Sequence, residues 1–170
     1  MESNPMQLIA LIALALVASA YDVTQRTIPN WATAAGSVAG VALAWLGGGS
    51  AAALHLLTAA LVLLCGLPLY TRGVLGGGDV KLLVAVSALL GPRLLPEALA
   101  LTALAGGVIA LIEAVRRGVL LPLVLEGRDA LFRFARLADG GGQLRAAAAA
   151  SLNVPYGLAI GIGAVGACLV

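Results

Sequence analysis

The sequence predicts an all-α, polytopic membrane protein. It has six transmembrane helices with both termini outside, plus an amphipathic helix on the cytoplasmic interface. Three observations carry this reading. Hydrophobic residues make up 61% of the 170 residues and charged residues 11%, against roughly 45–50% and about 25% in an ordinary soluble chain. Mean hydropathy is +1.05, which excludes both a soluble globular domain and a disordered one. Second, apolar runs recur at the lengths that a hydrocarbon core of about 30 Å requires, roughly 17–25 residues per helix. Third, the basic residues segregate to alternate connections. Aromatics are only 4% and glycines number 22, a composition suited to closely packed membrane helices.

Taken in order, the first span covers 6–20, behind a polar start of Glu2, Ser3 and Asn4. No Lys or Arg precedes it, which argues against a cleaved signal peptide. The second covers 31–46 and the third 51–70. The fourth, 78–91, is short, and its apolar core draws on the glycine-rich residues before it. The fifth covers 98–115 and the sixth 154–170, with the alanine run 146–150 as a backward extension. The whole chain, 1–170, reads as a single membrane-embedded domain.

With the amino terminus outside, the connections after spans one, three and five are cytoplasmic. They collect Arg26, Arg72, Lys81, Arg116, Arg117, Arg128, Arg133, Arg136 and Arg145, leaving only Arg93 outside. That asymmetry obeys the positive-inside rule and supports six spans, since adding or dropping one would mix the counts. The segment 116–151 is the one long connection. At 100° per residue, Arg128, Asp129, Arg133 and Arg136 share one face, while Ala130, Leu131, Phe134, Ala135, Leu137 and Ala138 fill the other. Only Phe132 falls out of pattern. This is an amphipathic helix on the cytoplasmic leaflet, ended by Asp139-Gly140-Gly141-Gly142. It either anchors topology or serves as a flap or substrate platform.

Several chemistries are excluded. Cys65 and Cys168 lie in apolar runs, supporting neither a disulfide framework nor a cysteine-rich zinc site. A single histidine, His55, cannot supply a two-histidine metal site, and reads as a satisfied interfacial residue. The net charge of +2 is too small to argue for nucleic acid. No metal and no cofactor are expected.

Two of the acidic residues differ in context from the rest. Asp22 directly follows the first span, and Asp79 opens the fourth. The topology puts both at cytoplasmic helix ends, where two carboxylates are the minimum equipment for aspartyl chemistry. One must be ionised to take a proton from water while the other, protonated, polarises the scissile carbonyl. Close carboxylates enforce that division, because two like charges about 3 Å apart cannot both ionise. Gly76–Gly78 are expected to adopt φ > 0 and admit an extended peptide, and Pro29 to sit one residue inside the second helix. Blander readings stand beside these. Asp79 suits a helix cap, Asp22 an interfacial charge beside Arg26, Glu113 a partner of Arg116 or Arg117, and Lys81 a positive-inside charge.

The stretch Asp22-x-x-x-x-x-Ile28-Pro29-Asn30, followed by Gly76-x-Gly78-Asp79-x-Lys81, resembles the paired signature of type IV prepilin peptidases, intramembrane aspartyl proteases of the GxGD kind. Val154-Pro155-Tyr156-Gly157 resembles the Pro-Tyr/Phe-Gly element that the family carries at its last helix. The resemblance implies that Asp22 and Asp79 are the catalytic pair. It makes Gly76, Gly78, Lys81, Ile28, Pro29, Asn30, Pro155, Tyr156 and Gly157 residues that shape the site or bind substrate. It implies cleavage of a short leader from prepilin-like precursors at the cytoplasmic face of the plasma membrane. Longer members carry a four-cysteine zinc domain and N-methylate the product. With only 21 residues before Asp22, this chain resembles the short, peptidase-only form of tight-adherence (Flp-type) pili, or an archaeal preflagellin counterpart, and methylation is not expected. The rival reading is a non-enzymatic transporter or scaffold subunit with the aspartates in an ion pathway. Such a protein would more naturally show broken helices near mid-membrane.

Overall fold

The structure, a computed structural model, describes residues 5–73, 75–116 and 156–169. Among them all regular structure is helical: α1 (Pro5–Gln25), α2 (Asn30–Leu46), α3 (Gly49–Thr71), α4 (Gly77–Arg116) and α5 (Tyr156–Gly166). By length and apolarity α1, α3 and α4 are each sufficient to cross a membrane. The interfacial helix, the alanine run and Pro155 fall outside the described residues.

The two spans expected at 78–91 and 98–115 fall in two separate helical legs of α4, which meet at a kink at Gly91 (φ 69°, ψ −175°). The break has a chemical cause. In a continuous helix the Ala88 carbonyl would accept from the N–H of residue 92, which is Pro92 and has none. His55 of α3 fills the vacancy, its ring Nδ1–H donating to the Ala88 carbonyl at 2.8 Å. Gly91 itself sits in the left-handed region that favours glycine, and a side chain there would run into the His55 ring. His55 is thus a cap for a broken helix.

Close contacts fix the directions of the helices. Gly36 and Gly40 of α2 face Ala85 and Ala88 in turn, so α2 runs parallel to the first leg of α4. Gly66 of α3 meets Val80 while His55 meets Ala88, so α3 runs against that leg. After Gly91 the register changes partner. Gly163 of α5 faces Thr102 and Ala98, and farther along the second leg Gly106 faces Ala159. α5 also runs against α1, with Gly157 at Asp22 and Gly161 at Ser19 and Ala15. The second leg therefore returns in the direction of α1. One end of the bundle collects the C-termini of α1 and α3 and the N-termini of α2, α4 and α5.

The packing uses small residues inside and large ones outside. α2 buries Ala32, Gly36, Gly40 and Ala44 at steps of four, which puts them on one face. At Gly40 an added Cβ would lie 2.5 Å from backbone atoms of Ala88, so backbone meets backbone. Among the described residues the fully buried large apolar side chains are few: Leu11, Leu82 and Leu89. Ile9, Leu16, Val38, Leu64 and Leu104 are instead exposed. That inversion of the water-soluble order is what a lipid surround selects, since lipid gives no hydrophobic drive for helices to associate and close contact must supply it.

Candidate active site

The helix ends gathered at one pole of the bundle carry the two aspartates. Asp22 lies near the C-terminus of α1, and its carbonyl accepts from the N–H of Arg26 at 3.1 Å. Arg26 then takes a left-handed conformation, φ 54°, which ends the helix. Thr27 and Ile28 carry the chain to Pro29, which stands at the N-cap of α2 (φ −68°, ψ 133°) instead of one residue inside it, as the sequence suggests. Its carbonyl accepts the first bonds of the helix, from Ala32 and Thr33.

Asp79 is in the first turn of α4. Its carboxylate accepts a backbone hydrogen bond from Gly76, and Asp22 is near enough for its charge to act on it. The Gly76 carbonyl in turn accepts from the Val80 N–H at 3.1 Å. This local pattern resembles half of a capping box, where a side chain three residues into a helix reaches back to the N–H before it. The cap reading of Asp79 therefore holds locally, and proximity to a second carboxylate is added to it. Both aspartates are half-buried.

The two sequence motifs touch one another. A Cβ on Gly78 would come 3.3 Å from the Cβ of Ile28, so Ile28 packs where that side chain would be. Lys81 Nζ donates to Asn30 Oδ1 at 2.9 Å. Asn30 is thus tied to the second motif, and Thr33 Oγ1 donates to its carbonyl. The glycines do not take the backbone conformation that the sequence suggests. Positive φ occurs at Gly48, Gly73 and Gly91 and not at Gly76–Gly78, because Gly77 and Gly78 already belong to α4. Their value lies in room: a Cβ on Gly76 would be 2.8 Å from Asp79 Oδ2, and one on Gly77 3.1 Å from the ring of Tyr70.

Tyr70 is a neighbour that the motif reading missed. The available signal is its place as an aromatic closing an apolar span, the usual position of an interfacial ring. The other omission is a pairing. Gly157 was named from its motif, but nothing in the sequence links it to Asp22, whose Oδ2 accepts from the Gly157 N–H at 2.7 Å. Tyr156 is exposed at the start of α5. Among the described residues no three His, Cys, Asp or Glu side chains gather where they could hold a metal. What the pole can do chemically follows from two carboxylates on different helices, near enough for the charge of one to act on the other.

Residues 9–111 match the type IV leader peptidase family. No curated protein and no solved structure gives a match. Both aspartates, the Ile28-Pro29-Asn30 turn and the Gly76–Lys81 stretch lie inside the matched region, and Gly157 lies beyond it. The match takes in more than half of the sequence, and by it the chain belongs to the type IV leader peptidase family, peptidases that act on prepilin-type precursors.

Proposed function

We propose that this protein is an intramembrane aspartyl endopeptidase, with Asp22 and Asp79 as its catalytic pair. It removes the short leader from Flp-type prepilin precursors at the cytoplasmic face of the plasma membrane. The observation that carries this is the gathering of two half-buried aspartates from different helices at one pole, near enough for the charge of one to act on the other. In the reaction one carboxylate takes a proton from water while its neighbour, protonated, polarises the scissile carbonyl. Collapse of the tetrahedral species returns a proton to the departing amine. Two like charges held close disfavour double ionisation, and one ionised carboxylate beside one protonated is the arrangement that the reaction needs.

The face follows from charge. Six spans with both termini outside put the connections holding nine of the ten basic residues in the cytoplasm, as the positive-inside rule requires. The return of α4 after Gly91 and the exposed large apolar side chains support that arrangement. A substrate there presents a polar leader, then an apolar helix, with the cut at their junction. The bond must be extended to be cut, since helical carbonyls are already hydrogen-bonded.

The test is co-expression with a candidate prepilin and a gel-shift reading of leader loss. Asp22→Asn and Asp79→Asn should each abolish cleavage while the protein accumulates in the membrane at its normal level. Substantial cleavage by either variant would defeat the assignment.

A further inference from the structure

We infer that Gly157 is a positioning residue for Asp22, its backbone N–H and its missing side chain together setting the orientation of that carboxylate. The inference rests on the reading of Asp22 as catalytic, and it makes α5 a working part of the site.

Three observations converge. The Gly157 N–H donates to Asp22 Oδ2 at 2.7 Å. It lies in the first turn of α5, where N–H groups have no acceptor within their own helix, so nothing competes for it. A Cβ at this position would lie 2.9 Å from Asp22 Oδ2, 3.1 Å from Cγ and 3.0 Å from Cβ. Those contacts reach back to the root of a short side chain, which has no distant end to swing aside. The carboxylate would have to rotate, or the helices separate. Separation is opposed one turn further on, where Gly161 brings α5 against Ser19 and Ala15 of α1, with a virtual Cβ 3.1 Å from Ser19 Oγ.

The other tight glycines of α5 face different neighbours. Gly163 abuts Thr102 and Ala98 of α4, and Gly166 abuts Leu101. Gly157 is buried, and its three nearest neighbours are all atoms of Asp22. A glycine needed only for helix packing would act on stability alone. One needed to aim a carboxylate must act on the chemical step, and a misplacement of about 1 Å there costs on the order of 100-fold.

The experiment is steady-state cleavage of a purified prepilin by the full-length enzyme in detergent, with thermal melting measured alongside. Gly157→Ala should lower kcat about 10- to 100-fold per folded enzyme, with KM within about two-fold of wild type. Gly106→Ala, whose Cβ would meet only Ala159 at an ordinary 3.6 Å, should leave both constants unchanged. An unchanged kcat for Gly157→Ala, or a fall matching only its loss of folded protein, overturns the inference. If Asp22→Asn is inactive at the same time, the catalytic pair itself stands. Should Gly157→Ala accumulate poorly, a double-mutant cycle in melting temperature decides instead. Asp22→Ala removes the clashing atoms beyond Cβ, so Asp22→Ala/Gly157→Ala should be more stable than the sum of the single effects. Additive effects would overturn the inference.

Discussion

A close approach of backbone to backbone between α2 and α4 gives the most quantitative expectation. Replacing Gly40 by Ala puts a methyl group 2.5 Å from the Ala88 carbonyl carbon and oxygen and 2.6 Å from the Leu89 nitrogen. All three are backbone atoms, so no rotamer change relieves the overlap. An ordinary contact needs about 3.5 Å, and α2 must therefore shift by roughly 1 Å from the first leg of α4. Overpacking of this kind costs about 1–3 kcal/mol. At roughly 2–4 °C per kcal/mol for a chain of this size, the melting temperature in detergent should fall by several degrees. The shift also moves Asn30 away from Lys81 and Ile28 away from Gly78, so cleavage per folded enzyme should fall too. Gly107→Ala is the control, because nothing lies within 4 Å of its added Cβ and Ala is the better helix former. A Gly40→Ala protein that melts with the wild type would refute the backbone-to-backbone contact and with it the proposed packing of α2.

Gly78→Val should abolish most leader cleavage by gel shift while membrane accumulation stays near normal, because the added Cβ alone would come within 3.3 Å of Ile28 Cβ and the branched side chain beyond it must displace Ile28. Unimpaired cleavage in a normally folded enzyme would mean that the glycine serves only helix packing. His55→Ala leaves the Ala88 carbonyl without its donor, which should cost about 1–3 kcal/mol, read as a lower melting temperature. Cleavage per folded enzyme should be unaffected, since His55 lies at the far end of the first leg of α4; selective loss of kcat would contradict the capping role.

How much of this was legible in the sequence differs by level. The membrane class and the helical runs follow from apolar length, a property of each segment alone. The proximity of the two aspartates was legible in part, because Asp22 and Asp79 stand at the ends of apolar runs that the topology brings to one side. Which residues touch was not. Periodicity places Gly36 and Gly40 on one face of α2 but cannot say that Ala85 and Ala88 lie opposite. The break at Gly91 was signalled by Gly91-Pro92, yet the donor that completes it comes from His55, more than thirty residues away. The φ > 0 expectation for Gly76–Gly78 failed for an instructive reason. A glycine cluster before an acidic residue has two uses, an unusual backbone or empty space beside it, and only tertiary contacts distinguish them.

The two motifs are best understood as halves of one contact surface. Ile28 needs Gly78 to lack a side chain, and Asn30 and Lys81 hydrogen-bond across the same gap. These contacts hold the start of α2 against the start of α4. Asp22 hangs from the other side of the turn, on α1, and would be free to drift if only that turn restrained it. The Gly157 N–H restrains it from the opposite side. Asp79 is restrained within its own helix by Gly76. Each carboxylate thus receives a backbone N–H from a glycine next to or in the first turn of a helix, one in sequence and one across space. An aspartate that served only as a cap would need no second carboxylate nearby, and an interfacial charge would need no glycine shaped to it.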